Sequence, residues 1–102
     1  MSHPTSGLDD TVHQRVRLGI LAVLTEGRRA DFAYLRDTLE LTDGNLSRHL
    51  QVLEEADLIR IDKTFEGKRP RTWLSVTEQG RGALASELAA LRALIVRAEG
   101  GT

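Results

Sequence analysis

A chain of 102 residues has room for one domain with a modest core, and 40% hydrophobic with 28% charged residues is a globular mixture rather than a disordered one. The absence of cysteine excludes a disulfide framework, a thiol nucleophile and a thiolate metal site, and no apolar run approaches the roughly 18 residues needed to cross a bilayer. A net charge of −1 lacks the overall basic footprint usual for nucleic-acid binding, so any such contact has to be local.

Residues 1–7 lack the charged-then-apolar pattern of a signal peptide and are expected to be a flexible tail. A cytoplasmic protein with no membrane partner is the default. The folded domain is expected over residues 8–98, with 99–102 a second tail. Asp9 and Asp10 suit a helix N-terminus, so a first helix is predicted to start after them and to stop at Gly27. Its Val16, Leu18, Ile20, Leu21, Val23 and Leu24 make it apolar nearly all round, which calls for burial on more than one side, in part by another chain.

Asp31 is predicted to cap a short helix from Phe32 to about Leu39. Thr42 caps the next one, with Asp43 in its first turn and Leu46, Leu50 and Leu53 at i, i+4, i+7 facing inward. Gly44 is either tolerated near a helix start or allows close approach to a partner backbone. Two strands follow, 58–65 and 72–76, with Gly67 and Pro70 marking the turn. Thr77 opens a last helix from Glu78 to about Ala98, roughly 30 Å long. Its Leu84, Leu88, Leu91 and Ile95 fall four, three and four apart, a seam that a one-layer domain cannot cover alone. A homodimer is therefore expected, joined by those four residues with Val12 and Val16 of the first helix contributing.

Helix, turn, helix, then basic hairpin is the layout of a winged helix-turn-helix: mainly α, with a small β hairpin and a long C-terminal dimerisation helix over about 78–98. Double-stranded DNA is the expected partner. Asn45, Ser47, Arg48 and Gln51 lie opposite the leucine stripe and suit base edges and phosphates, with Gly44 beside them and Thr42 a phosphate contact at the helix start. Lys63, Lys68, Arg69 and Arg71 are opposed only by Glu66 across residues 63–71, so the basic character is concentrated on the hairpin.

Rival chemistries find less. His3, His13 and His49 come with no cysteine and no Gly-rich phosphate loop, and each reads as structural, so no catalytic residue and no cofactor is expected. Asp9, Asp10 and His13 could gather a metal ion, but three ligands in one opening turn are a weak signal, and no metal site is expected. The alternative is a winged helix used as a protein-binding adaptor. The near-neutral charge favours it; the polar outer face and basic hairpin oppose it.

Several segments resemble ArsR-like and MarR-like regulators. Arg17-Leu-Gly-Ile-Leu21 is similar to the R-L-x-I-L of their first helix, and residues 41–59 look like their recognition helix with its L-E-x-A-G-L-I exit. Residues 65–72 look like their wing, and residues 74–81 like the opening of their last helix. The resemblance covers about residues 8–96 in order. It implies a homodimeric transcription factor, more often a repressor, with the second helix in the major groove and the wing along the adjacent minor groove or backbone. A small-molecule effector of unidentified kind could sit in the dimer cleft near the first and last helices. Glu40 and Asp57 stand where such proteins often have a glycine in a left-handed turn; aspartate adopts that conformation more readily than glutamate. Metal-sensing members use cysteine, or histidine and acid clusters on terminal helices; the last helix here has neither cysteine nor histidine.

Overall fold

A computed structural model describes residues 3–100. In chain order the elements are α1 (Arg15–Glu26), β1 (Ala30–Asp31), α2 (Phe32–Thr38), α3 (Asp43–Glu55), β2 (Ile59–Glu66), β3 (Arg69–Val76) and α4 (Glu78–Gly100), preceded by a 3-10 turn at Pro4–Gly7. The strands form one antiparallel sheet in the order β1-β3-β2, so a two-residue strand joins the expected hairpin.

Three boundaries differ from expectation. α1 starts five residues after Asp10, because Gln14 is its cap: the Gln14 side-chain oxygen accepts from the Arg17 N–H at 2.9 Å. Asp9 instead closes its own turn, its Oδ1 accepting from the Thr11 N–H at 2.8 Å. The turn at Pro4–Gly7 is no loose tail but lies on α4, where a Cβ on Gly7 would stand 3.3 Å from the Ala90 Cβ. At the other end α4 continues through Glu99 and Gly100, past the expected end near Ala98. Met1, Ser2, Gly101 and Thr102 lie outside the described residues.

The hairpin turn is also tighter than predicted. β2 and β3 pair from Ile59↔Val76 to Glu66↔Arg69, leaving Gly67 and Lys68 as a two-residue turn with Gly67 at φ +65°. Pro70 is thus a strand residue opposite Phe65. Its missing N–H would point to the outer edge of β3, which β1 covers only at Trp73 and Leu74, so no ladder bond is lost.

The core gathers Ile20, Leu21 and Leu24 of α1, Leu35 of α2, Leu46, Leu50 and Leu53 of α3, and Ile59 and Leu74 of the sheet. Burying each such side chain contributes about 1.5–3 kcal/mol. Val12 and Leu84, expected at a dimer interface, are 0% and 6% exposed within the single chain, so the chain's own core occupies them. Val16 is half-buried against the same core.

Asp57 (φ 61°) ends α3 in the left-handed conformation, and Glu40 (φ 54°) does the same between α2 and α3. Four contacts then bind the exit of α3 to the start of α4. The Thr77 N–H donates to the Leu58 carbonyl (3.0 Å), its hydroxyl donates to the Asp57 carbonyl (2.7 Å), and Gln79 Nε2 donates to the Ala56 carbonyl (3.3 Å). Gly80 completes the set: its N–H donates to Thr77 Oγ1, and a Cβ there would lie 2.1 Å from the Leu58 carbonyl oxygen.

α4 then leaves the body. The molecule measures 60 × 24 × 22 Å with a radius of gyration of 15.6 Å, against about 13 Å for a compact domain of this size. Near the body α4 buries Leu84 and Glu87; beyond, Leu88, Ile95 and Val96 are 37%, 53% and 69% exposed. Glu87 is a buried carboxylate with both oxygens engaged, Oε1 by the Asp9 N–H at 3.1 Å and Oε2 by His13 Nδ1 at 2.5 Å, so it ties the N-terminal segment to α4.

Candidate nucleic-acid interface

The face of α3 opposite its leucines is open. Thr42 Oγ1 accepts from the Asn45 N–H at 3.1 Å, which fixes the helix start. Asn45, Ser47, Arg48 and Gln51 are all exposed beyond it. Among the described residues Arg48 has no ion pair with an acid; its Nη2 donates to Asn45 Oδ1 at 3.1 Å, so two candidate contact residues steady each other. Gln51 Nε2 donates to Glu55 Oε1 at 3.3 Å. At Gly44 a Cβ would meet nothing within 4 Å among the described residues beyond its own stretch of helix, so its lack of side chain serves no internal packing.

Two contacts seat this helix. Arg36 of α2 reaches Asp43 at 3.0 Å and Asp37 at 3.0 Å, and these carboxylates, Asp37 foremost, hold the guanidinium charged well above its ordinary range. Behind α3, Arg17 Nη1 lies 3.1 Å from His49 Nδ1, while Arg17 Nε donates to the Thr11 carbonyl at 2.6 Å. Burial, then the charges of Arg17 and Arg48, push the His49 imidazole down from its usual value. It therefore stays a neutral acceptor for Arg17.

Strand alternation divides the basic residues of the wing. Ile59, Ile61, Lys63 and Phe65 share one face with Pro70, Thr72, Leu74 and Val76, and this is the face toward α3. Ser47, Gln51 and Glu54 of α3 line an open groove of about 280 Å³ together with Lys63 and Thr72. Lys68 is in the turn and Arg69 is across from Glu66 on the other face. None of Lys63, Lys68 and Arg69 is in an ion pair among the described residues.

Arg71 is placed otherwise. It lies on the far face, where Nη2 and Nε donate to Asp31 Oδ2 at 2.9 and 3.1 Å and Nη1 to Glu66 Oε1 at 2.5 Å. Those carboxylates, Glu66 foremost, raise its pKa. Asp31 has its pKa lowered, chiefly by the Tyr34 N–H that it caps and also by Arg71. Arg71 thus joins β3 to the start of α2. Arg29 and Arg71 stand 3.7 and 4.3 Å from the Trp73 ring centre, at an open hollow of about 490 Å³ that Tyr34 and Glu26 also line. Sequence reasoning missed this set, because Arg29, Trp73 and Asp31 come together only through the two residues of β1.

Asp9, Asp10 and His13 are not assembled as ligands: Asp9 serves Thr11, His13 serves Glu87, and no group of three or more potential ligands occurs among the described residues. No helix of the described residues is long and apolar enough to cross a membrane.

A capped, solvent-facing second helix held at a fixed angle beside a basic two-stranded wing defines a winged helix-turn-helix of the transcriptional-regulator class. Residues 16–95 match the winged helix DNA-binding domain, and the chain belongs to that family. It is 41% identical over 68 residues to an uncharacterized protein of Methanocaldococcus jannaschii, covering 67% of this chain and 74% of the relative. Its structure is similar to that of the transcriptional regulator homologue protein from Pyrococcus horikoshii OT3, with a TM-score of 0.84 and 33% identity over 93% of this chain and 95% of that one. The M. tuberculosis transcriptional regulator MosR, solved in complex with DNA, shares the fold with a TM-score of 0.72 at 17% identity, over 97% of this chain and 71% of its own.

Proposed function

We propose that the protein is a cytoplasmic, homodimeric and sequence-specific regulator that reads the major groove with α3, contacts backbone or minor groove with its wing, and represses by occupying promoter DNA. The observation that carries this reading is the outer face of α3: four polar side chains, exposed and unlocked by any acid at Arg48, on a helix seated from behind by Arg17 and His49. A face built to bind protein would carry apolar residues, and here it carries none. The exposed α4 residues Leu88 and Ile95, with half-buried Leu91 between them, support the dimer, with a small-molecule effector between the α1 and α4 helices of the two copies as a further part of the proposal. The test is a fluorescence-anisotropy titration with mixed genomic DNA at two salt concentrations. Salt-sensitive binding is expected; absent or salt-insensitive binding favours the adaptor, which the net charge of −1 would suit.

Within this reading Arg48 contacts a base. Arg48→Ala is expected to weaken operator binding by about 1–3 kcal/mol and to relax preference at one position per half-site. Affinities for a panel of single-base operator variants check this; equal loss on every sequence would make Arg48 a phosphate contact.

The two kinds of basic wing residue should separate cleanly. Replacing Lys68 and Arg69 by alanine is expected to flatten the slope of log affinity against log salt by about two units per subunit, since each phosphate contact contributes about 0.9. The melting temperature should barely move. Arg71→Ala should do the reverse, lowering the melting temperature as its pairs to Asp31 and Glu66 are lost and leaving the slope nearly unchanged. A flattened slope in Arg71→Ala would put Arg71 on DNA.

A further inference from the structure

Phe65 is 73% exposed near the tip of the wing, directly across from Pro70 and two residues beyond Lys63 on the face turned toward α3. A large aromatic in that setting contributes nothing to the core, whereas the chain's other phenylalanine, Phe32, is half-buried against it. Opposed residues on paired strands have Cβ atoms about 4.5–5.5 Å apart, so the two rings make one compact apolar ridge. Pro70 fixes its own φ, and the two-residue turn at Gly67 and Lys68 keeps the ribbon short, so little freedom is lost when the ridge is gripped.

The ridge has positive charge close by: Lys63 lies behind it on the same face and Lys68 in the turn, both outside any ion pair among the described residues, while Arg69, next to Pro70 in the chain, lies on the other face across from Glu66. No acid lies on that face of the ribbon. An apolar ridge with cations close by complements a minor groove, whose sugars and base edges are walled by phosphates on both sides.

Resting on the DNA-binding reading above, we infer that Phe65, backed by Pro70, is an apolar wedge that enters the minor groove beside the α3 site and partly unstacks one base step. Apolar side chains of this kind kink DNA at the steps they enter. The B-form minor groove is only about 6 Å wide, so the ridge enters where the groove opens. Pyrimidine–purine steps unstack readily, whereas A-tracts are stiff and narrow. The wing therefore adds sequence preference through deformability, without a hydrogen bond to a base.

The test uses two duplexes of about 30 base pairs, long enough for two half-sites, one of alternating T–A steps and one an A-tract, each carrying 2-aminopurine in place of one adenine. In about 50 mM salt the wild-type protein is expected to bind the alternating duplex about tenfold more tightly and to raise its 2-aminopurine fluorescence. Phe65→Ala should bind both duplexes equally, with no fluorescence rise and an unchanged salt slope. Phe65→Leu should retain most of the preference. Circular dichroism serves as the fold control, since an exposed side chain leaves the melting temperature in place. A preference that survives in Phe65→Ala, or wild-type binding without any fluorescence rise, would overturn the wedge and leave the DNA-binding reading standing. Failure of the wild type to bind either duplex would overturn both.

Discussion

Replacing Leu88 and Ile95 by aspartate is expected to turn a dimer into a folded monomer and to weaken operator binding by about 10²–10⁴-fold, because two linked half-sites are then read one at a time. Both side chains are exposed in the single chain, so the charges meet water in the monomer and are buried only against a second copy. Leu84 would be a poor probe of the same question. It is 6% exposed, and a charge there would unfold the domain. Light scattering gives the assembly state and anisotropy the affinity. A wild-type monomer at micromolar concentration would defeat the dimer proposal outright.

Gly80→Ala is expected to lower stability by about 3 kcal/mol, and the melting temperature by roughly 15 °C for a domain of this size. Two effects compete. Alanine is favoured over glycine in a helix by about 1 kcal/mol, but its Cβ would lie 2.1 Å from the Leu58 carbonyl oxygen and 2.7 Å from Val76 Cγ2. The first of these is backbone already engaged by the Thr77 N–H, so it cannot yield without opening the joint. Overlap wins. For Gly82, two residues on, such a Cβ would meet nothing within 4 Å among the described residues beyond its own stretch of helix, and Gly82→Ala should raise stability by about 0.5–1 kcal/mol. Thermal melts followed by circular dichroism measure both, and a neutral Gly80→Ala would show that α4 is not held where the contacts place it.

What could be read from the chain beforehand was what local chemistry decides. Thr42 caps α3, and Leu46, Leu50 and Leu53 face inward, because a hydroxyl at a helix start and a leucine every turn or so leave few alternatives. Glu40 and Asp57 stand where the resemblance implies a left-handed glycine, and both adopt that conformation, with φ of 54° and 61°, although glutamate does so less readily than aspartate. What escaped depends on neighbours distant in sequence. β1 is two residues long, too short for any alternation to register, yet it brings Asp31 to Arg71. Asp9 and Asp10 have the composition of a helix start, but Gln14 has the geometry, and composition cannot tell which side chain reaches back. Glu87 looks like a surface acid until the N-terminal segment closes over it. Four basic residues in nine read as one patch; strand alternation sends Lys63 and Arg71 to opposite faces.

The joint between α3 and α4 also has a mechanical consequence. With Thr77, Gln79 and Gly80 fastening the exit of α3 to the first turn of α4, α3 rides on the end of a stiff arm 23 residues long. That arm measures about 34 Å, close to the 34–36 Å separating half-sites one helical turn apart. If its far end is the pivot in the proposed dimer, turning the arm by about 5° swings α3 through roughly 3 Å. Two arms swinging oppositely change the span by about 6 Å, nearly two base-pair steps. The crossing angle of the paired α4 helices would then act as the gauge for operator spacing, and anything that altered that angle would detune both reading heads together without touching a base.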